Sequence, residues 1–443
     1  MQQEQTLQPE QTLQGSCLSH SELKAWFVCL SAGLFFFYDF IQLNMFNTLN
    51  PFVAEAYRLD AVQIGYLAST YMFATVCMLP FSGALLDRFP TRHVILSAMA
   101  VCTFSTYLFS IAPNVWIAAL ARFICGGSTA FCFLSCIVLS TRWFPSHKMA
   151  QVTGVIVTMA MLGGALSQEP LAHLIEHFGW RTALQIDTAL GIALFLFMYA
   201  AIENFPDASN PPKLTQEPVW KSYKSALANP QNMICCLYTS LMNLFIFILG
   251  AAWGATYLQM VYKLDFTTAS RITTMLFFGT ILGSPLAGIL SDKMRKRRAP
   301  MILGAIVSFT LAFALLFRPD LTPFQLGCVF FIIGVTTSTQ IISYPVIFET
   351  NPPSITGASE ALAGVLIMAG GAVFQPVFGW MMNQHWSGQL TESGLPLYSG
   401  GDYHFAYLIL PISLLVCIWL ARNVTETNCQ LVWKNKANTT QKD

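Results

Sequence analysis

Residues 83–93 read GALLDRFPTRH, an aspartate and two arginines set between long apolar runs. Residues 288–298, GILSDKMRKRR, repeat the pattern: a glycine, three residues, an aspartate, then a base. The two copies start 205 positions apart (288 − 83), and each follows the second apolar stretch of a series of six. That spacing reads as an internal duplication. Charges confined to the joints between apolar runs place those joints in water.

The 443-residue chain is 54% hydrophobic and only 10% charged, whereas soluble domains carry about a quarter charged residues. Twelve apolar stretches of about 20 residues are each long enough to cross a ~30 Å hydrocarbon core as helix. They fall near 25–49, 62–86, 94–112, 115–140, 149–171 and 181–203, then near 231–260, 267–290, 300–317, 323–348, 357–382 and 403–421. Lipid offers the backbone no hydrogen-bond partner, so an open chain crosses it as helix. The expected fold class is all-α: a polytopic membrane protein with 12 transmembrane helices in two six-helix halves. A net charge of +1 gives no field for a nucleic-acid partner.

The expected organisation is a disordered tail over 1–21, a six-helix bundle over 22–203, a linker over 204–228, a second bundle over 229–422 and a tail over 423–443. The linker is marked by its prolines and mixed charges. The first tail repeats EQTLQ at 4–8 and 10–14 and lacks the basic start and apolar core of a signal peptide. The 12 cysteines lie mostly within apolar runs with no CxxC spacing, which reads as small buried hydrophobes rather than metal ligands. No metal site is expected. With both termini inside, 12 basic residues fall in loops on the terminal side and five on the other. Basic residues gather on the cytoplasmic side, so both termini are expected there.

Four segments together resemble the major facilitator superfamily. GALLDRFPTR is similar to its Gly-x-x-x-Asp-Arg-x-Gly-Arg-Arg/Lys loop signature through Gly83, Asp87, Arg88 and Arg92, with Pro90 and Thr91 departing. GILSDKMRKR matches the weaker second copy through Gly288, Asp292 and Lys293. ARFICGGSTA is similar to an Arg-x-x-x-Gly element, with Arg122 and Gly126, and FETNPP supplies the acidic Glu349 after the tenth stretch. The segments FFFYDF, RFICGGSTAFCF, TRWFP and FGWRTAL look like a bacterial phagosomal-transporter branch that takes up amino acids or nucleosides. The resemblance implies alternating access around a cavity lined by the first and fourth helices, in a bacterial inner membrane. It also implies that the two charged knots act as gates between states. The further run Arg297 and Arg298 is expected to be a solvated anchor.

Ionisable residues inside spans are costly and are functional hypotheses by default. Asp39 lies about 13 residues, or ~20 Å, above the start of the first stretch, and Arg122 about 10 Å below the outer start of the fourth. Those depths coincide in a ~30 Å core, so an Asp39–Arg122 pair is expected. Opened by protonation of Asp39, it serves as a proton-coupling element; a static ion pair is the plainer alternative, and contact of Asp39 with a substrate amine a third. Asp187, less than two turns from Arg181 at the water boundary, is expected to have a structural or interfacial role, and Glu169 is expected near that boundary.

Candidate substrate contacts are Gln42, three residues after Asp39, and Thr336, Thr339, Gln340 and Ser343, spaced i, i+3, i+4, i+7 as one polar helix face. Asn243, Trp253 and Tyr257 on the seventh stretch and Gln375 on the eleventh complete the set; ordinary interhelical hydrogen bonding is the alternative for each. Such a lining suits a neutral or zwitterionic polar solute. The function expected is proton-linked uptake of a small polar nutrient by a monomer in the bilayer, driven by a proton gradient and needing no cofactor. A siderophore or other metabolite carrier, and a transporter-like nutrient sensor, are the alternatives. No nucleophile–base pair or phosphate loop is present to suggest an enzyme.

Overall fold

A computed structural model of the protein describes residues 20–144, 148–203, 219–318, 320–391 and 394–433. Twelve of its helices are long and apolar enough to cross a membrane. In the first half, α1–α6 run Glu22–Asn44, Ala61–Gly83, Thr91–Ile111, Val115–Trp143, Gln151–Phe178 and Trp180–Ala201. In the second half, α7–α12 run Pro230–Gly250, Phe266–Met294, Arg298–Leu315, Pro323–Thr350, Ile355–His385 and Gly400–Asn423.

Helix starts on the side away from the termini carry polar caps. Asp60 and Gln63 form a reciprocal capping box before α2, Thr322 and Gln325 another before α10, and the Asp265 carboxylate accepts from the Thr268 amide before α8. These side chains satisfy first-turn amides that have no intrahelical partner. Several spans are not continuous α-helix. The α7 ladder passes through a π-turn at Ile246–Gly250 before resuming at Gly254–Tyr262, and α10 tightens to a 3₁₀ segment at Ser338–Ile342.

Two glycines set the packing of the first half. A β-carbon at Gly126 would collide with the Tyr71 carbonyl, and one at Gly163 with the Phe37 carbonyl. Their absence lets α4 lie against α2, and α5 against α1, at backbone contact.

The halves meet at the end away from the termini. There α2 packs on α11 and α5 on α8, while the α1 extension Phe46–Tyr57 packs on Gly254–Tyr262. Asn47, Asn50 and Gln168 hydrogen-bond across this junction to Ala255, Ala252 and Gly250. Arg271 of α8 donates to Glu169 at its rim, 2.7 Å apart. The tails over 1–19 and 434–443, and the linker as far as residue 218, lie outside the described residues. The end of the expected linker is the helix Val219–Ala228, packed against α11.

Candidate functional site

The centre of the first half is a polar cluster inside an apolar bundle. Asp39 is 8% exposed and Arg122 1% exposed. Both point inward, but the direct ion pair expected between them is not formed. Tyr71 of α2 stands between them: its hydroxyl donates to Asp39 Oδ1, and the Arg122 guanidinium lies 4.8 Å from its ring centroid. Arg122 Nη1 donates instead to the Gln42 carbonyl at 2.7 Å and Nη2 to the Ala68 carbonyl at 3.4 Å, with the Phe46 ring 5.6 Å away. The physical reason is Gly126, one turn beyond Arg122, which lets the Tyr71 backbone press against α4 and fill the space.

Gln42 was expected on the Asp39 face, lining the cavity. It is fully buried and faces α3 and α6: Nε2 donates to Asp187 Oδ2 at 2.6 Å, and Oε1 accepts from Thr106 at 2.8 Å. Three helical positions turn a side chain by about 60° from its starting direction, enough to move it from one neighbour to the next. Asp187 is 7% exposed, two turns into α6, and buried in this contact. The sequence signal that points to it is an acid within a span with no base beside it. Tyr71 carried no such signal, because an apolar ring with one hydroxyl is ordinary core.

In the second half the expected polar face of α10 is split. Thr336 bonds to Ser308 of α9 at 2.7 Å, and Thr339 meets the Tyr238 hydroxyl of α7 at 3.0 Å. Only Gln340 Oε1 and Ser343 Oγ stay buried without a partner. The 3₁₀ segment between them explains the split: three residues per turn instead of 3.6 rotates the register, so i, i+3, i+4, i+7 no longer share one face. Asn243 donates to the Thr239 carbonyl at 2.8 Å. Trp253 stacks on Phe378 and donates to the Gln375 carbonyl at 3.4 Å, while Gln375 donates to the Phe247 carbonyl at 2.9 Å. Tyr257 is buried against Tyr407, its hydroxyl unpartnered.

At the terminal side the second charged knot is a built structure. Arg297, expected to be solvated, is buried: Nη2 meets Glu349 Oε1 and Nη1 meets Asp292 Oδ1, each at 2.6 Å. Burial works against its charge, but its hydrogen bonds to Glu349 and Asp292 more than offset that, and its pKa lies above the ordinary guanidinium value. Lys293 is exposed. In the first knot Arg88 is exposed, and Arg92 donates to the Tyr199 carbonyl at 2.9 Å. The Asp87 side chain lies outside the described residues. Neither signature glycine is demanded by packing: Gly83 has one side chain at 3.9 Å and Gly288 none within reach. Among the described residues no cluster of His, Cys, Asp or Glu could hold a metal.

Twelve apolar helices in two bundles, polar at their centre and joined across a central seam, define a secondary transporter by fold. The chain belongs to the Major Facilitator Superfamily, whose profile it matches over residues 32–375. It is 22% identical over 79% of its length to a probable sulfoacetate transporter of Cupriavidus necator, covering 86% of that protein. It is also 23% identical over 83% of its length to the membrane sensor protein UhpC of Escherichia coli, covering 87% of it. Among solved structures, it superposes with TM-score 0.71 on a bacterial homologue of the human lysosomal transporter Spinster in an inward-facing conformation. That match is at 17% identity and covers 90% of this chain and 95% of the other. A nucleoside transporter, NupG, gives TM-score 0.71 at 17% identity, covering 90% of this chain and 99% of that one.

Proposed function

We propose that the protein is a proton-coupled importer of a small polar nutrient, of amino-acid or nucleoside-like chemistry, in a bacterial inner membrane. Both termini lie in the cytoplasm, so the end at which the halves meet faces outward. The observation that carries this reading is the buried Asp39, bonded to Tyr71 while the same ring supports Arg122. A carboxylate held by a neutral hydroxyl can gain and lose a proton without breaking an ion pair. The unpartnered Gln340 Oε1, Ser343 Oγ and Gln375 Oε1 are the donors and acceptors left over for an uncharged or zwitterionic solute. Asp292, Glu349 and Arg297 hold the second knot together, and Asp87, Arg88 and Arg92 form the corresponding gate in the first half.

The test is purified protein in liposomes under an inward proton gradient, offered a panel of labelled amino acids and nucleosides, with sulfoacetate and a hexose phosphate as contrasting anions. One panel member should accumulate, and Asp39→Asn should abolish accumulation while sparing exchange. Normal accumulation by that variant would remove Asp39 from the coupling role. A nutrient sensor is the second reading, favoured by the similarity to UhpC; solute binding without gradient-driven accumulation would select it.

A further inference from the structure

Three ionisable groups share the interior of the first half: Arg122, Asp39 and Asp187. None of them makes an ion pair among the described residues. Arg122 spends its hydrogen bonds on two carbonyls, and its Nε has no partner. Asp187 has a neutral amide as its side-chain partner. A buried charge without a counter-charge is strongly destabilising. If both acids were ionised the cluster would carry one net negative charge; with one proton aboard it is neutral.

The two acids differ in how they are joined to the arginine. Gln42 connects them: its backbone carbonyl accepts from Arg122 Nη1, and its side-chain amide donates to Asp187 Oδ2. In this arrangement its side-chain oxygen accepts from Thr106, and its N–H faces the carboxylate. An amide aimed donor-first is matched to an acceptor-only, ionised carboxylate. Asp39 lies on the other side of this arrangement, with Tyr71 as its donor.

We propose that Asp187 is the standing counter-charge of Arg122, acting through Gln42, and that this leaves Asp39 free to gain and lose a proton. The inference rests on the proton-coupled reading and assigns a positioning role to a residue outside the cavity. Other titratable groups around Asp187 do not supply the balance. From α1 the Tyr38 hydroxyl, a neutral donor, reaches the Asp187 carbonyl at 3.3 Å and also its carboxylate. From α3 and α4 come Cys102 and Cys125, thiols 3.6 Å apart. On α6 itself, Arg181 is turned to the carbonyls of Ser110 and Ala112 at the outer end. The short helix Glu169–Phe178, packed at the start of α6, carries Glu169, His173, Glu176 and His177 around the outer rim.

The experiment needs no solute. Infrared spectra of the purified protein across pH, compared between wild type and Asp187→Glu, identify the residue-187 carboxylate band by its displacement. The Asp39 titration is isolated as the difference between each protein and its Asp39→Asn counterpart. Residue 187 should be ionised near neutral pH. Asp187→Asn should move the Asp39 titration to lower pH by about one unit, because Arg122 then has only Asp39 to balance it; Asp187→Glu should leave it in place. A residue 187 that is protonated through the neutral range, or an Asp39 titration unmoved in Asp187→Asn, would overturn the proposal. Should Asp187→Asn not fold, the carboxylate band of wild type against Asp187→Glu decides alone. An Asp39 that does not titrate at all in wild type would sink the coupling reading separately, whatever residue 187 does.

Discussion

Asn50 of the first half donates its side-chain amide to the carbonyl of Ala252 in the second, 2.7 Å away. Beside it Gln168 donates to the Gly250 carbonyl at 3.0 Å, and Asn47 accepts from the Ala255 amide at 3.0 Å. These backbone groups are orphans because α7 leaves its regular ladder at Ile246–Gly250 and restarts at Gly254. Helix ends leave groups that side chains must satisfy, and here the other half supplies them. Parting the halves at this end therefore requires three side-chain amides to let go together.

Asn47→Ala should speed hydrogen exchange at the Ala255 amide by roughly five- to tenfold, the equivalent of about 1 kcal/mol for one hydrogen bond. Mass spectrometry of the peptide covering 251–258 reads this directly. An unchanged rate would show that the seam is held by apolar packing alone.

Tyr71→Phe removes the hydroxyl that serves Asp39 but keeps the ring beneath Arg122. The cost should be about 1–3 kcal/mol, the penalty of a buried acceptor left unpaired. Tyr71→Leu should cost more, since the guanidinium also loses its aromatic face. Thermal unfolding midpoints in detergent should fall in the order wild type, Tyr71→Phe, Tyr71→Leu; equal midpoints for the two variants would argue against the ring contact.

Arg297→Ala strands Glu349, 5% exposed, without its cation. Breaking one partner of a buried pair costs about 3–5 kcal/mol, whereas replacing both with apolar residues is often nearly neutral. The double variant Arg297→Met with Glu349→Leu should therefore unfold at a higher temperature than Arg297→Ala alone. The reverse order would mean that Arg297 acts on something other than Glu349.

Glu426 accepts from the backbone amides of Arg297 and Arg298 at 2.8 and 3.0 Å. Burial pushes its pKa up, but those amide bonds pull it down further, and the net value lies below the ordinary carboxylate range. A carboxyl depressed on folding adds stability that is present above its unfolded pKa and is lost as pH falls through the folded one. The segment 424–433 should thus detach in acid, below about pH 4.3. Glu426→Gln should loosen it already at neutral pH, read as faster proteolytic clipping after Asn423. Clipping that does not change with either would remove Glu426 as the anchor.

The sequence reading reached as far as local rules extend. Twelve spans follow from apolar length alone, and the carriers of the superfamily signature, Gly83 to Arg92 and Gly288 to Lys293, are visible as strings. Buried charge was also legible, because Asp39 and Arg122 stand out against apolar neighbours and the depths at which they sit follow from rise per residue. Partnership was not. Arg297 looked like one of several loop bases, and only its contact with Glu349, 52 positions away, shows that it is buried. Thr336 and Thr339 looked like cavity residues until the 3₁₀ segment turned them toward α9 and α7.

Composition and periodicity alone thus determined that this chain is a twice-six-helix membrane protein with an acid and a base inside its spans, since hydrophobic length and the cost of charge in lipid act on each segment separately. Tertiary structure alone decided who meets whom: Tyr71 between Asp39 and Arg122, Gln42 on Asp187, and three amides across the seam. Those choices depend on helix rotation and on backbone approach at Gly126, which are properties of two helices together and are written in neither one.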